Sequence, residues 1–154
     1  MAKFSISYTG FATTTSAKTA AKVIGASAKQ FEVVEIGMYG DGRTTPADSQ
    51  HEAQFAFLSN AGAGTAGASP TPEKASQGSN VSGVTAGTSY SAEPTTYATN
   101  ILTLFAFNQR GGMRWAVPAN EGFRTDGSQT NLSAGVRVIS SVAGVVAGNV
   151  LWVE

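Results

Sequence analysis

Lys3-Phe4-Ser5-Ile6-Ser7-Tyr8 alternates polar with apolar side chains, and that period of two decides how the rest of the chain is read. Successive side chains of a strand point to opposite faces, so the run gathers Phe4, Ile6 and Tyr8 on one side, opposite Ser5 and Ser7. The pattern returns along the sequence. Residues 30–39 carry Val34, Ile36 and Met38 on one face and stop at Gly40-Asp41-Gly42, a strong turn signal. Residues 51–58 put Ala53, Phe55 and Phe57 on one side and Glu52, Gln54 and Ala56 on the other, which predicts one buried and one wet face. Residues 100–107 are apolar on both sides, which predicts a place in the middle of a sheet or at a subunit contact. Met113, Trp115 and Val117 share a face opposite Arg114, and Gly111-Gly112 between these two runs reads as a tight hairpin turn. Gly135-Val136-Arg137-Val138-Ile139 and Gly148-Asn149-Val150-Leu151-Trp152-Val153 predict two final strands.

Two stretches depart from this rhythm. Residues 15–28 are rich in Ala and Lys, which favour helix, but Val23-Ile24-Gly25 argues for a strand beginning near Ala20. From about 60 to 92 the chain turns to Gly, Ala, Ser, Thr and Pro with almost no large apolar side chain, and reads as one long loop. Seven or eight short strands without a helical crossover predict an all-β, two-sheet antiparallel sandwich, with a jelly roll as the leading topology and immunoglobulin-like packing as the rival.

At 154 residues the chain has material for one such sandwich domain, spanning 1–154. Only 13% of its residues are charged, against a usual fraction of about 25%. Ten basic and ten acidic side chains are scattered singly and sum to zero, so there is no electrostatic footprint for nucleic acid or an anionic membrane. A surface this neutral is poorly protected against association and suits a subunit of a larger assembly. The absence of cysteine excludes disulfides, thiolate metal sites and cysteine nucleophiles. The alternating start lacks the continuous apolar core of a secretory signal, and no window approaches the ~18 apolar residues of a membrane span, so a soluble protein made in the cytoplasm is expected.

Chemistry-bearing motifs are sparse. Gly62-Ala63-Gly64-Thr65-Ala66-Gly67 matches GxGxxG, but a dinucleotide site needs a following helix whose amides receive the pyrophosphate, and Ser69-Pro70-Thr71-Pro72 forbids one. His51 is the only histidine, which removes multi-imidazole metal sites and cupin-type chemistry; on its strand it reads as a surface or rim residue. Glu32 and Glu35 fall on opposite faces of a strand and cannot converge as an acid and base pair. Asp41, Asp48, Glu121 and Asp126 fall in turn-like segments without the spacing of a calcium loop. Asn80-Val81-Ser82 and Asn131-Leu132-Ser133 match the glycosylation pattern, which carries no meaning without a secretory signal. No catalytic residue, cofactor or metal is therefore expected, and the chain reads as a binding protein rather than an enzyme.

From about Thr19 to the terminus the order of several pieces resembles a family of small tailed-phage virion proteins, the capsid decoration (cement) or minor capsid proteins. The pieces are Phe31-Glu32-Val33-Val34-Glu35-Ile36 and its small-residue turn, then Glu52-Ala53-Gln54-Phe55 and a Gly/Thr/Ser loop closing at Glu93-Pro94-Thr95. Gly111-Gly112, Gly122-Phe123, Gly135-Val136-Arg137-Val138 and Trp152-Val153-Glu154 follow. Two features depart from that pattern: Ile101-Leu102-Thr103-Leu104 carries no Trp, and the loop from Ala61 to Gly67 is long. The resemblance implies a jelly roll on the outside of a phage head that ties capsomers together, bound to the major capsid protein and to itself, as a trimer in preference to a dimer. Aromatic and apolar strand positions are the candidate contacts, to be anchors where they prove exposed: Phe4, Ile6, Tyr8, Phe105, Phe107, Trp115 and Leu151. The alternative is a glycan- or receptor-binding module, for which Trp115 with Arg114 and Asn120 would supply the site.

Overall fold

The computed structural model describes residues 2–26, 29–41, 48–58, 64–75, 81–95, 97, 101–125 and 132–154. Eleven strands are formed among them: β1 (Lys3–Ala12), β2 (Lys18–Ile24), β3 (Glu32–Gly40), β4 (Gln50–Leu58), β5 (Glu73–Lys74), β6 (Thr85–Thr88), β7 (Thr103–Asn108), β8 (Gly112–Ala116), β9 (Phe123–Arg124), β10 (Ser133–Ser140) and β11 (Val145–Val153). They build two antiparallel sheets. One runs β5-β1-β11-β3-β8, with β9 also on β3; the other runs β6-β2-β10-β4-β7. The ladder of β1 on β11 matches Phe4 with Trp152 and Ile6 with Val150, and that of β10 on β4 matches Val136 with Phe55. The eight longer strands are nested: β4 pairs β7, β3 pairs β8, β2 pairs β10 and β1 pairs β11.

Period two explains which side chains meet between the sheets. Phe4, Ile6 and Tyr8 from β1, Ile36 and Met38 from β3, and Val146, Val150 and Trp152 from β11 face Val23 of β2, Ala53 and Phe55 of β4, and Val136 and Val138 of β10 in one core. Trp152 is completely buried and stacks on Phe4 at 6.2 Å between ring centroids. Phe55 of one sheet meets Phe123 of the other at 4.9 Å. Gly148 is needed on β11 because a Cβ there would run into the Tyr8 hydroxyl and come within 2.6 Å of the Gly37 carbonyl.

Four expectations are corrected by tertiary structure. Of the two places expected for residues 100–107, the middle of a sheet is overturned: among the described residues β7 is the outermost strand of its sheet, and the subunit contact is the alternative left. Gly111-Gly112 does not close a hairpin, since β7 and β8 belong to different sheets and the turn, with the Gly111 amide donating to the Asn108 carbonyl, carries the chain across the sandwich. The stretch from about 60 to 92 is not one bare loop: its described part holds β5, which lengthens one sheet beside β1, and β6, which lengthens the other beside β2. Finally, the outer face of β4 is wet only at its start, where Gln50 is exposed and Glu52 half-buried.

Ala56 and Leu58 are buried as fully as Phe55, and Gln54 nearly so, because residues 89–95 and Tyr97 return over the outside of that sheet. Tyr90 is buried, Leu58 bridges Tyr97, and the Arg137 guanidinium lies 4.2 Å from the Tyr97 ring centre. This strap is anchored where β2 bulges. The register of β2 on β10 shifts between Val136 and Arg137, and the Glu93 carboxylate accepts from the Thr19 amide at 2.8 Å and the Thr19 hydroxyl at 2.6 Å. The Ser89 and Tyr90 amides donate in turn to the Ala20 and Thr19 carbonyls. The strap thus satisfies backbone groups that the bulge removes from the ladder.

Candidate interaction surface

The seven candidate contact residues separate into two sets. Phe4, Ile6, Tyr8 and Phe107 are core residues, so they cannot reach a partner without opening the sandwich, and their place as contacts is corrected. The reason is the face they occupy, since the alternation that marks a strand does not say which side is covered. Phe105, Trp115 and Leu151 are half-buried. Leu151 lies on the outer face of its sheet between Ser5 and Glu35. Phe105 and Trp115 lie on the side where the last strands of both sheets, β7 and β8, come together. There Trp115 stacks on Phe123 at 4.8 Å, and Phe123 on Phe55, so three rings bridge the sheets from surface to core.

Beside this aromatic wedge the sequence reading missed the larger exposed feature. Ile101, Leu102 and Leu104 are 39%, 38% and 49% exposed within four residues of the chain, whereas the other large apolar residues exposed among the described ones, Tyr39, Val81 and Val142, are scattered. The signal was present: Leu102, Leu104 and Ala106 share the face opposite Phe105 and Phe107. It was unreadable without knowing that β7 is a sheet edge.

The polar groups proposed for a glycan site do not converge. Arg114 and Trp115 are adjacent on β8 and so point to opposite faces. Arg114 is engaged in a two-bonded pair with Glu35, at 3.0 and 2.9 Å, on the outer face. Asn120, at a φ of 78°, uses its amide on Glu32 and its side-chain carbonyl on Arg124. Glu32 itself is buried and accepts from the Gly122 and Asn120 amides and from Arg124 at 2.6, 3.1 and 3.0 Å. Burial alone would raise its carboxyl, but the Gly122 amide and the Arg124 guanidinium outweigh it and hold the group below the usual range. Glu35 is also held low, by Arg114 first. The two carboxylates have separate partners and do not form a pair, and their bonds are those of structural groups. A cleft of about 210 Å³ beside Glu32, lined by Phe31, Arg124, Val153 and Glu154 among others, has its carboxylates occupied in the same way: Glu154 accepts from Ser82, Gly83 and Trp152.

His51 is not at the surface or rim. It is 2% exposed, its Nδ1 lies 2.6 Å from the Ser140 hydroxyl, and its ring packs on Phe107 at 5.0 Å. Burial lowers its pKa and keeps the ring neutral. Asp41 is buried and accepts from the Gly10 amide, and Asp48 accepts from Asn108. No group of three or more His, Cys, Asp or Glu side chains able to hold a metal ion occurs among the described residues. Among them, too, no helix is long and apolar enough to cross a membrane. Asp126, the first two residues of the GxGxxG match, Gly62 and Ala63, and the asparagines of both glycosylation patterns lie outside the described residues; Gly64 to Gly67 bond to the strap without leading into a helix.

No family model and no curated protein matches the chain. Among solved structures, a likeness to "Structure of infectious bursal disease virus Gt strain" covers 97% of this chain and 39% of that one, at 8% identity and a TM-score of 0.14. At that score it carries no argument about fold or function.

Proposed function

We propose that this chain is a virion structural protein: a capsid decoration protein that binds the outside of a tailed-phage head, stabilises contacts between capsomers, and also binds itself. The observation that carries the reading is the exposure of Ile101, Leu102 and Leu104 next in the chain to the half-buried Phe105, on a chain with zero net charge. Apolar side chains so exposed, on a surface of low charge, suit contacts made of apolar burial and backbone hydrogen bonds. The sandwich is read as a jelly roll. Support comes from the nested pairing β1·β11, β2·β10, β3·β8 and β4·β7, which is what a single long hairpin rolled across two sheets produces.

On this reading the protein works by linkage. Each contact with the shell is modest, but an oligomer engages several sites at once and gains from effective concentration. Preferential binding to the expanded shell then stabilises it by mass action. The major capsid protein is the partner, the virion surface the location, and no catalytic step is involved. The test is cosedimentation with expanded, undecorated heads of the phage. Saturable binding at a fixed ratio to capsid subunits supports the assignment; no binding to expanded heads sinks it and brings forward a glycan- or receptor-binding role, read by a glycan array.

A further inference from the structure

An outermost strand presents unpaired amides and carbonyls, and folded proteins normally blunt it with charge, proline, a bulge or short length. Most edges of this sandwich are so protected. β5 is two residues long, carries Glu73 and Lys74 and follows Pro70 and Pro72; β6 is four residues long; β8 carries Arg114, and β9 carries Arg124. Among the described residues β7 has no charge, no proline and no strand on its outer side, and the one irregularity lies just before it, where the Leu102 amide donates to the carbonyl of Phe55, the residue opposite Thr103. Its six residues, Thr-Leu-Phe-Ala-Phe-Asn, hold no charge and no proline, and its register on β4 runs unbroken from Gln50 opposite Asn108 to Phe55 opposite Thr103.

The ladder fixes which groups are left over. The Gln109 amide donates to the Ser49 carbonyl. In a regular antiparallel ladder the residues that bond β4 are then Phe107, Phe105 and Thr103, and the amides and carbonyls of Leu104 and Ala106 point away. These are spaced for self-pairing. Two copies of β7 running antiparallel about Phe105 bring Leu104 opposite Ala106 of the other copy, and Ala106 opposite its Leu104. Each bonded pair then sets a large exposed side chain against a small one. Because β7 is uncharged, the arrangement places no like charges opposite each other.

We propose that β7 is the self-association edge of this protein, pairing antiparallel with β7 of a second copy across a two-fold axis at Phe105 and burying Leu104. The pairing deepens the self-association in the reading above and replaces the trimer implied by the resemblance with a dimer, because a two-fold contact consumes the edge.

The test is the solution mass by light scattering of the full chain and of two single variants. Ala106→Lys, at an exposed position, puts the standard protective charge on the edge, and Thr85→Lys does the same on the opposite side of the sandwich. Twice the chain mass for the parent and for Thr85→Lys, with the chain mass for Ala106→Lys and unchanged far-UV circular dichroism, is expected. A monomeric or trimeric parent, or an Ala106→Lys variant that keeps the dimer mass, overturns the pairing. Since the chain has no cysteine, a second measurement is independent of that variant. Leu104→Cys and Ala106→Cys, mixed and mildly oxidised, are expected to cross-link to each other more than either does to itself, since bonded pairs place their Cα atoms ~5.5 Å apart, within disulfide range. Equal or absent cross-linking overturns the proposal. Cosedimentation with heads separates it from the decoration reading: a dimer that ignores heads loses only that reading, and a monomer or trimer that coats them loses only the pairing.

Discussion

His51 is the residue at which burial has the clearest functional reading. Its ring is neutral because it is buried against Phe107 and Ser140, not because of a neighbouring charge. The folded pKa therefore lies below the ordinary 6.5, and as pH falls through ~6.5 the unfolded chain takes up a proton that the folded chain does not. Stability is fully present above that value and is lost below it, at up to about 1.4 kcal/mol per pH unit until the folded pKa is reached. Urea unfolding between pH 7.5 and 5.0 is expected to show this slope, and His51→Asn, which retains a donor for Ser140, to flatten it whatever its absolute stability. An unchanged slope in the variant would assign the effect elsewhere. The carboxylates do not confuse the measurement, since Glu32 and Glu35 are held low and contribute stability that is lost only as pH falls below the ordinary carboxyl range.

At the scale of elements, the strap over the second sheet and the bulge of β2 explain each other. Thr19 lies where β2 slips against β10, and its amide finds Glu93 rather than a strand neighbour. Glu93→Ala is expected to cost about 2 kcal/mol in urea unfolding, the scale of a lost charge-assisted bond to a buried donor. Faster amide exchange should be confined to Thr19 and the strap, with β11 unaffected. Uniform acceleration across both sheets would mean that the strap is part of the global core. The Gly, Ala, Ser and Thr composition of this region conceals its role: backbone bonds and a few buried side chains, Tyr90 above all, hold the strap in place, and neither leaves a periodic trace in sequence.

At the scale of the molecule, the nesting of β1 with β11 and β2 with β10 means that nearly every sheet contact joins residues far apart in the chain. Loop-closure entropy must be met before those contacts form, so refolding is expected on the millisecond-to-second scale of sandwiches with high contact order. Stopped-flow refolding followed by the fluorescence of Trp152, buried against Phe4, checks this; a microsecond phase carrying the full amplitude would contradict it.

The sequence by itself determined that this is an all-β chain, where most of its strands run, and which side chains share a face, because strand periodicity is a local property. The scarcity of charge and the single histidine are likewise plain in the sequence. Tertiary structure decided which faces are covered and which strands are edges. Phe4 and Leu104 sit on equally regular alternations, yet one is sealed between sheets and the other faces out beside a strand that has no further neighbour among the described residues. Likewise His51 looks exposed in a strand beside Glu52 and is buried only because β7 and β10 flank it. Coverage depends on contacts between residues far apart in the chain, and a local pattern carries no record of them.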